Sequence, residues 1–177
     1  MLREMRRQGR KLSIEDVKIL ENDLNVKLPE SYIRFLLQYN GGRPTPDCYP
    51  IEGTEVGCIG NFGGIHFFYW IDGPEDATEK IKRCYDIKSS CEVYNRRMPP
   101  NLLPIACDDG DNQICLSLYG NDAGWIWYWD HEQEKIPPDW NYDLPSHVPD
   151  YSNCYKIAES FQAFIDGLFD FPEEEIV

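Results

Sequence analysis

Between Leu103 and Glu132 the chain reads Leu-Pro-Ile-Ala-Cys, Asp-Asp-Gly-Asp-Asn, Gln-Ile-Cys-Leu-Ser-Leu-Tyr, Gly-Asn-Asp-Ala-Gly, Trp-Ile-Trp-Tyr-Trp and Asp-His-Glu. No other stretch constrains the fold as much. Its apolar runs, Ile105 to Cys107, Ile114 to Tyr119 and Trp125 to Trp129, are separated by two clusters of Gly, Asn and Asp. Runs punctuated in this way read as strands joined by hairpins, because these residues accept left-handed backbone or bond to their own turn. Trp125, Trp127 and Trp129 alternate and therefore share one face of a strand, with Ile126 and Tyr128 on the other. Both faces are largely apolar, which predicts a central strand between packing layers.

The flanking segments read as elements packed around this meander. Ser13 offers an N-cap, with Asp16 as its capping-box partner. Ile14, Val17, Leu20 and Leu24 then give an amphipathic helix over 14–23. Pro29 opens a second helix with a buried stripe of Tyr32, Phe35, Leu36 and Tyr39, and Asn40-Gly41-Gly42 stops it. Pro44, Pro46 and Pro50 exclude a regular helix over 43–50 and allow at most an edge strand. A strand over 51–59, a turn-rich loop over 60–64 and a strand from Ile65 to Ile71 buried on both faces follow. A polar helical region then runs to about Arg97, with one apolar face of Ile81, Cys84, Tyr85 and Lys88 and a break near Ser89-Ser90. Four prolines make 133–150 mostly loop, and the spacing of Ile157, Phe161, Phe164, Ile165 and Leu168 predicts a final helix over about 154–169.

A chain of 177 residues with 42% hydrophobic side chains fits one domain with a real core. The expected division is a basic flexible arm over 1–11, an α+β domain over 12–170 and an acidic tail over 171–177. No run of about 18 apolar residues suits a membrane span, and no apolar segment follows the basic start as in a secretory signal. The expected location is therefore cytoplasmic. Seven cysteines, an odd count without any Cys-x-x-Cys, give neither a disulfide framework nor a zinc site.

The net charge of −14 is unevenly spread: residues 98–177 hold only Lys135 and Lys156 against 16 carboxylates. Such a field repels nucleic acid and membrane surfaces and steers toward a basic partner; it also simply keeps a protein soluble. Asp108-Asp109-Gly110-Asp111-Asn112 resembles the start of a calcium loop, but the twelfth position is Tyr119 rather than Glu, so it reads as a hairpin turn. His131-Glu132-Gln133-Glu134 lacks the second His of a zinc protease, and no Pro-Cys-x-x-Cys follows as in a deaminase. The glycines at 60–64 lack the spacing of a phosphate loop. No nucleophile motif surrounds any Ser or Cys. The aromatic strand lacks the neighbouring Lys and Arg that stacking of single-stranded nucleic acid needs.

Leu28-Pro29-Glu30-Ser31-Tyr32, Phe35-Leu36 and Asn40-Gly41-Gly42 resemble the N-terminal signature of the SUKH superfamily. Leu103-Pro104-Ile105-Ala106, Asp109-Gly110-Asp111-Asn112, Ile114-Cys115-Leu116 and Trp129-Asp130-His131-Glu132 resemble its central signature, and Ser160 to Ile165 its closing helix. The resemblance implies an α+β fold: one domain with a curved, mostly antiparallel sheet and central meander, flanked by N-terminal, middle and C-terminal helices. It implies no catalysis and no cofactor. Bacterial members are immunity proteins that bind a cognate polymorphic toxin, often a nuclease; fungal relatives are regulatory or scaffold modules without a toxin. The expected partner is a toxin with a basic surface. The candidate contacts are Asp108, Asp109, Asp111, Asp122, Asp130, Glu132, Glu134 and Asp139. No metal ligands are expected.

Overall fold

A computed structural model of the chain describes residues 2–51, 62–134 and 150–171. The meander forms as expected. β6 (Leu102–Cys107), β7 (Gln113–Ser117) and β8 (Ile126–Trp129) pair antiparallel in chain order. β5 (Phe67–Phe68) adds on one side and β9 (Cys154–Ala158) on the other, giving a five-stranded antiparallel sheet. Bulges interrupt the register at Pro104/Ala106 and Ile126/Trp127, and each bends its strand locally. The predicted two-faced burial holds. Ile126 and Tyr128 enter the main core, while Trp129 packs with Met98, Leu102 and Cys115 in a second, smaller cluster that Trp127 flanks.

The main core lies between this sheet and helices at both chain ends. α1 (Ile14–Leu24) starts at a capping box: Ser13 Oγ accepts from Asp16 N–H at 3.3 Å, and Ser13 N–H donates to the Asp16 carboxylate at 2.7 Å. α2 (Glu30–Tyr39) turns Tyr32, Phe35 and Leu36 inward. Phe35 meets Phe68 of β5 at 4.8 Å between ring centroids and Phe161 of α5 (Phe161–Asp166) at 5.2 Å. Truncating such a buried ring costs about 3–5 kcal/mol, so this aromatic contact fixes the helices on the sheet.

The helix stops at Asn40-Gly41-Gly42 as expected. Asn40 at the cap takes the left-handed conformation, with φ 49°, and Gly41 and Gly42 follow with φ 76° and 116°. The Asn40 side chain accepts from Ile71 N–H at 2.7 Å and donates to the Ile71 and Arg10 carbonyls at 2.9 Å, tying the end of α2 to the 65–71 segment. Gly41 then passes so close to this segment that a Cβ would lie 2.6 Å from the Phe68 carbonyl. The Asn-Gly-Gly signature is thus a backbone crossing held by one amide side chain.

Other expectations need correction. The 1–11 arm contains β1 (Glu4–Arg6), which pairs with β2 (Arg43–Thr45) and buries Met5. β3 (Cys48–Pro50) pairs with β4 (Phe62–Gly64), so part of the presumed loop 60–64 is strand. Between Ile65 and Ile71 only Phe67 and Phe68 join the ladder, although all but His66 are buried. The middle helical region breaks at Tyr85-Asp86, not at the serines, because the Asp86 carboxylate caps Ser89 N–H at 2.9 Å. It gives α3 (Glu79–Cys84) and α4 (Ile87–Val93); Ile81 and Cys84 are exposed, and Ile87 is the buried anchor. The last predicted helix is a strand followed by a shorter helix. Residues 154–158 pair with β8, and Ser160 starts α5 by accepting from Ala163 N–H at 3.1 Å. The 51–59 strand, most of the 133–150 loop and the acid run at 173–175 lie outside the described residues.

Candidate functional site

The meander sorts its acidic residues by sheet end. The β6–β7 turn and the segment after β8 lie at one end; the β7–β8 turn lies at the other, separated by the length of β7 (roughly 17 Å for five residues). Asp122 is therefore remote from the other candidates. Its carboxylate accepts from Trp127 Nε1–H and Tyr151 Oη–H, both at 2.9 Å, and joins Ser117 and Asn101 in a polar staple beneath the aromatic strand.

At the shared end, three candidates are structural. Asp108 is an Asx-turn carboxylate that accepts from Gly110 N–H and Asn112 N–H at 2.8 Å, Asn112 Nδ2–H at 3.0 Å and Tyr128 Oη–H at 3.1 Å. Asp130 is buried, and its Oδ1 caps a 3-10 turn over His131–Gln133 by accepting from Glu132 and Gln133 N–H. Glu134 is clamped by Arg97, whose Nε and Nη2 donate to Oε2 at 3.0 and 2.6 Å. Asp109, Asp111 and Glu132 are the exposed ones. Asp139 lies outside the described residues.

Asn112 holds the two segments together. Its Oδ1 accepts from His131 N–H at 3.1 Å and from His131 Nδ1–H at 2.8 Å, while its Nδ2 donates back to Asp108. This places Glu132 beside the β6–β7 turn.

Sequence reasoning overlooked the residues that complete this end. His66 bonds through Nδ1 to the Asp109 carboxylate. Its Nε2 accepts from Arg43 Nη2–H at 2.9 Å and lies 3.2 Å from Tyr85 Oη. Arginine can only donate, so Nε2 carries the lone pair and Nδ1 the proton. Both nitrogens of this imidazole are engaged within the network. Beside this network runs a groove of about 440 Å³, lined by the β6–β7 turn, Glu132, the β3–β4 hairpin and Phe171. No Lys, Arg or His lines it among the described residues. Gly64 was the sequence signal for its open floor, whereas Gly63 makes room for the Tyr49 ring.

Fold and site together define a single-domain α+β protein that presents carboxylates beside an open groove at one end of an antiparallel meander. The chain belongs to the SMI1 / KNR4 family (SUKH-1), whose sequence model matches residues 11–167. It is also similar to the SPbeta prophage-derived uncharacterized protein YokK of Bacillus subtilis (strain 168), at 30% identity over 178 residues, covering 90% of this chain and 76% of that protein. Among the described residues no helix is long and apolar enough to cross a membrane, and no group of three or more His, Cys, Asp and Glu side chains is placed to hold a metal ion.

Proposed function

We propose that this chain is a cytoplasmic immunity protein that neutralises a cognate polymorphic toxin, a nuclease with a basic surface, by stoichiometric binding. The observation that carries this reading is the exposure of Asp109, Asp111 and Glu132 together at one sheet end, Asp109 with one oxygen on His66, while Asp108, Asp130 and Glu134 are less exposed and bonded internally. Membership of a family of immunity and regulatory proteins supports it, as does likeness to a prophage-derived protein. A nuclease surface that grips phosphate is basic, and an acidic inhibitor associates with it quickly by electrostatic steering. In this reading the protein acts by binding rather than catalysis, which the engagement of both His66 nitrogens and the turn-capping role of Asp130 support. Co-expression with the product of the adjacent gene is the direct test. Growth arrest without this chain and rescue with it are expected; a neighbour that is harmless alone would overturn the proposal.

A further inference from the structure

We infer that the groove beside the β6–β7 turn is the seat of an inserted arginine side chain from a loop of the partner protein; this rests on the immunity reading for the identity of the partner. Three properties point to that occupant. First, exposed carboxylates of Asp47, Asp109 and Glu132 border the groove, with no opposing Lys, Arg or His among the described residues that line it. Second, one wall is aromatic. Phe171 is 40% exposed and meets half-buried Phe62 edge-to-face at 5.5 Å between centroids. Aromatic rings beside carboxylates suit a guanidinium, which stacks on ring faces, is weakly hydrated and bonds carboxylates through its planar fork. The neighbouring apolar surface suits its aliphatic stem.

Third, the floor is kept open. Gly64 is exposed, its φ lies outside the left-handed region, and a Cβ there would meet no atom within 4 Å. The groove volume of about 440 Å³ falls within the ~300–1,000 Å³ range of built binding pockets. Gly63, beside Gly64, is required by packing, since a Cβ there would lie 2.6 Å from the Tyr49 ring. Gly64 has no such packing reason, and glycine in a strand weakens it; space for a partner's side chain accounts for Gly64.

The test uses the full chain, labelled with nitrogen-15, titrated with a capped Gly-Ser-Arg-Ser-Gly peptide. The control peptide carries citrulline, the neutral isostere, in place of arginine. The arginine peptide should shift the amide signals of Gly63, Gly64, Gly110 and Asn112, and the citrulline peptide should bind about tenfold more weakly, as loss of a charge-assisted hydrogen bond implies. Gly64→Leu should abolish these shifts while leaving the thermal midpoint unchanged. The pair Asp109→Asn with Glu132→Gln should weaken them without filling the groove. Absence of groove shifts, equal binding of both peptides, or undiminished shifts in Gly64→Leu would overturn the inference. The two readings fail separately. If Gly64→Leu still neutralises the adjacent gene product, the groove assignment falls and the immunity reading stands. If the arginine peptide fills the groove but no toxin is neutralised, the immunity reading falls alone.

Discussion

Arg97 and Glu134 form a closed clamp on the rim of the meander. The Arg97 guanidinium donates to Glu134 Oε2 from Nε at 3.0 Å and Nη2 at 2.6 Å, and lies 5.4 Å from the Tyr94 ring centroid and 5.5 Å from that of Trp129. The side chains are only 23% and 10% exposed. A carboxylate so engaged belongs to the fold. Glu134→Gln should lower the unfolding free energy by about 1–3 kcal/mol, because it removes the charge from the acceptor of two hydrogen bonds to a half-buried guanidinium. Urea unfolding measures this; a change within about 0.5 kcal/mol would mean that the clamp is solvated.

Asp122 gives a parallel contrast at the opposite sheet end. Asp122→Ala removes the acceptor of Trp127 Nε1–H and Tyr151 Oη–H and should cost about 1–3 kcal/mol. Asp111→Asn should cost no more than about 0.5 kcal/mol, since Asp111 is exposed and asparagine readily adopts its left-handed φ of 62°. Thermal and urea unfolding of the two variants side by side would reveal the difference.

What was legible in the sequence is what local chemistry decides. The Gly, Asn and Asp clusters specify turns through their own backbones, so the meander and the alternating faces of Trp125 to Trp129 could be read directly. The capping box at Ser13 was equally local. The last helix was misjudged because Ile157 and Phe161 stand four residues apart yet belong to a strand and a helix; pairing with β8, a tertiary contact, overrides the spacing. The division of the acidic candidates was hidden for the same reason. Asp108 is held by Tyr128, 20 residues away, and Glu134 by Arg97, 37 residues away. The groove was invisible because the β3–β4 hairpin and Phe171 reach it from distant parts of the chain.

The thiols should react unequally. Burial pushes Cys91, Cys107 and Cys154 up to about 12 and Cys48 up to about 11, whereas Cys84 is exposed. Thiolate, not thiol, is the nucleophile, and its fraction falls tenfold per unit. In native protein at mildly alkaline pH, iodoacetamide should label Cys84 at least on the order of a hundredfold faster than those four. Peptide mapping by mass spectrometry would show it. Comparable labelling of Cys107 would imply that β6 opens readily.

Asp16 should make part of the stability depend on acid. Arg10, and then Ser13, hold its carboxyl well below the ordinary value of 3.8. A depressed folded-state value means that the unfolded chain binds the proton first as pH falls. The stabilisation is therefore fully present above the ordinary carboxylate range and lost as pH drops below it toward the depressed value. The stability gap between the wild type and Asp16→Asn should be widest at neutral pH and shrink below about pH 4. Urea midpoints at pH 7, 4 and 3 measure it, and a gap independent of pH would assign the effect to helix capping alone.

The exposed acids should govern how fast a basic partner arrives. Asp111, Glu132 and Asp109, which also bonds His66, are exposed at one sheet end, whereas Asp108, Asp130 and Glu134 are at least half-buried and carry internal bonds. Reversing the first three to lysine should slow association with the proposed toxin partner by about 10- to 100-fold at low ionic strength, because long-range attraction raises encounter rates by factors of that order. The slowing should largely vanish near 1 M salt, where the Debye length falls to about 3 Å from about 30 Å at 0.01 M. Stopped-flow association across a salt series separates this from lost contacts, which would raise the dissociation rate at every salt concentration. An association rate unchanged by the triple reversal would show that these carboxylates do not face the toxin. Reversing Asp108 instead should unfold the β6–β7 turn, since Tyr128 Oη and the amides of Gly110 and Asn112 would lose their acceptor.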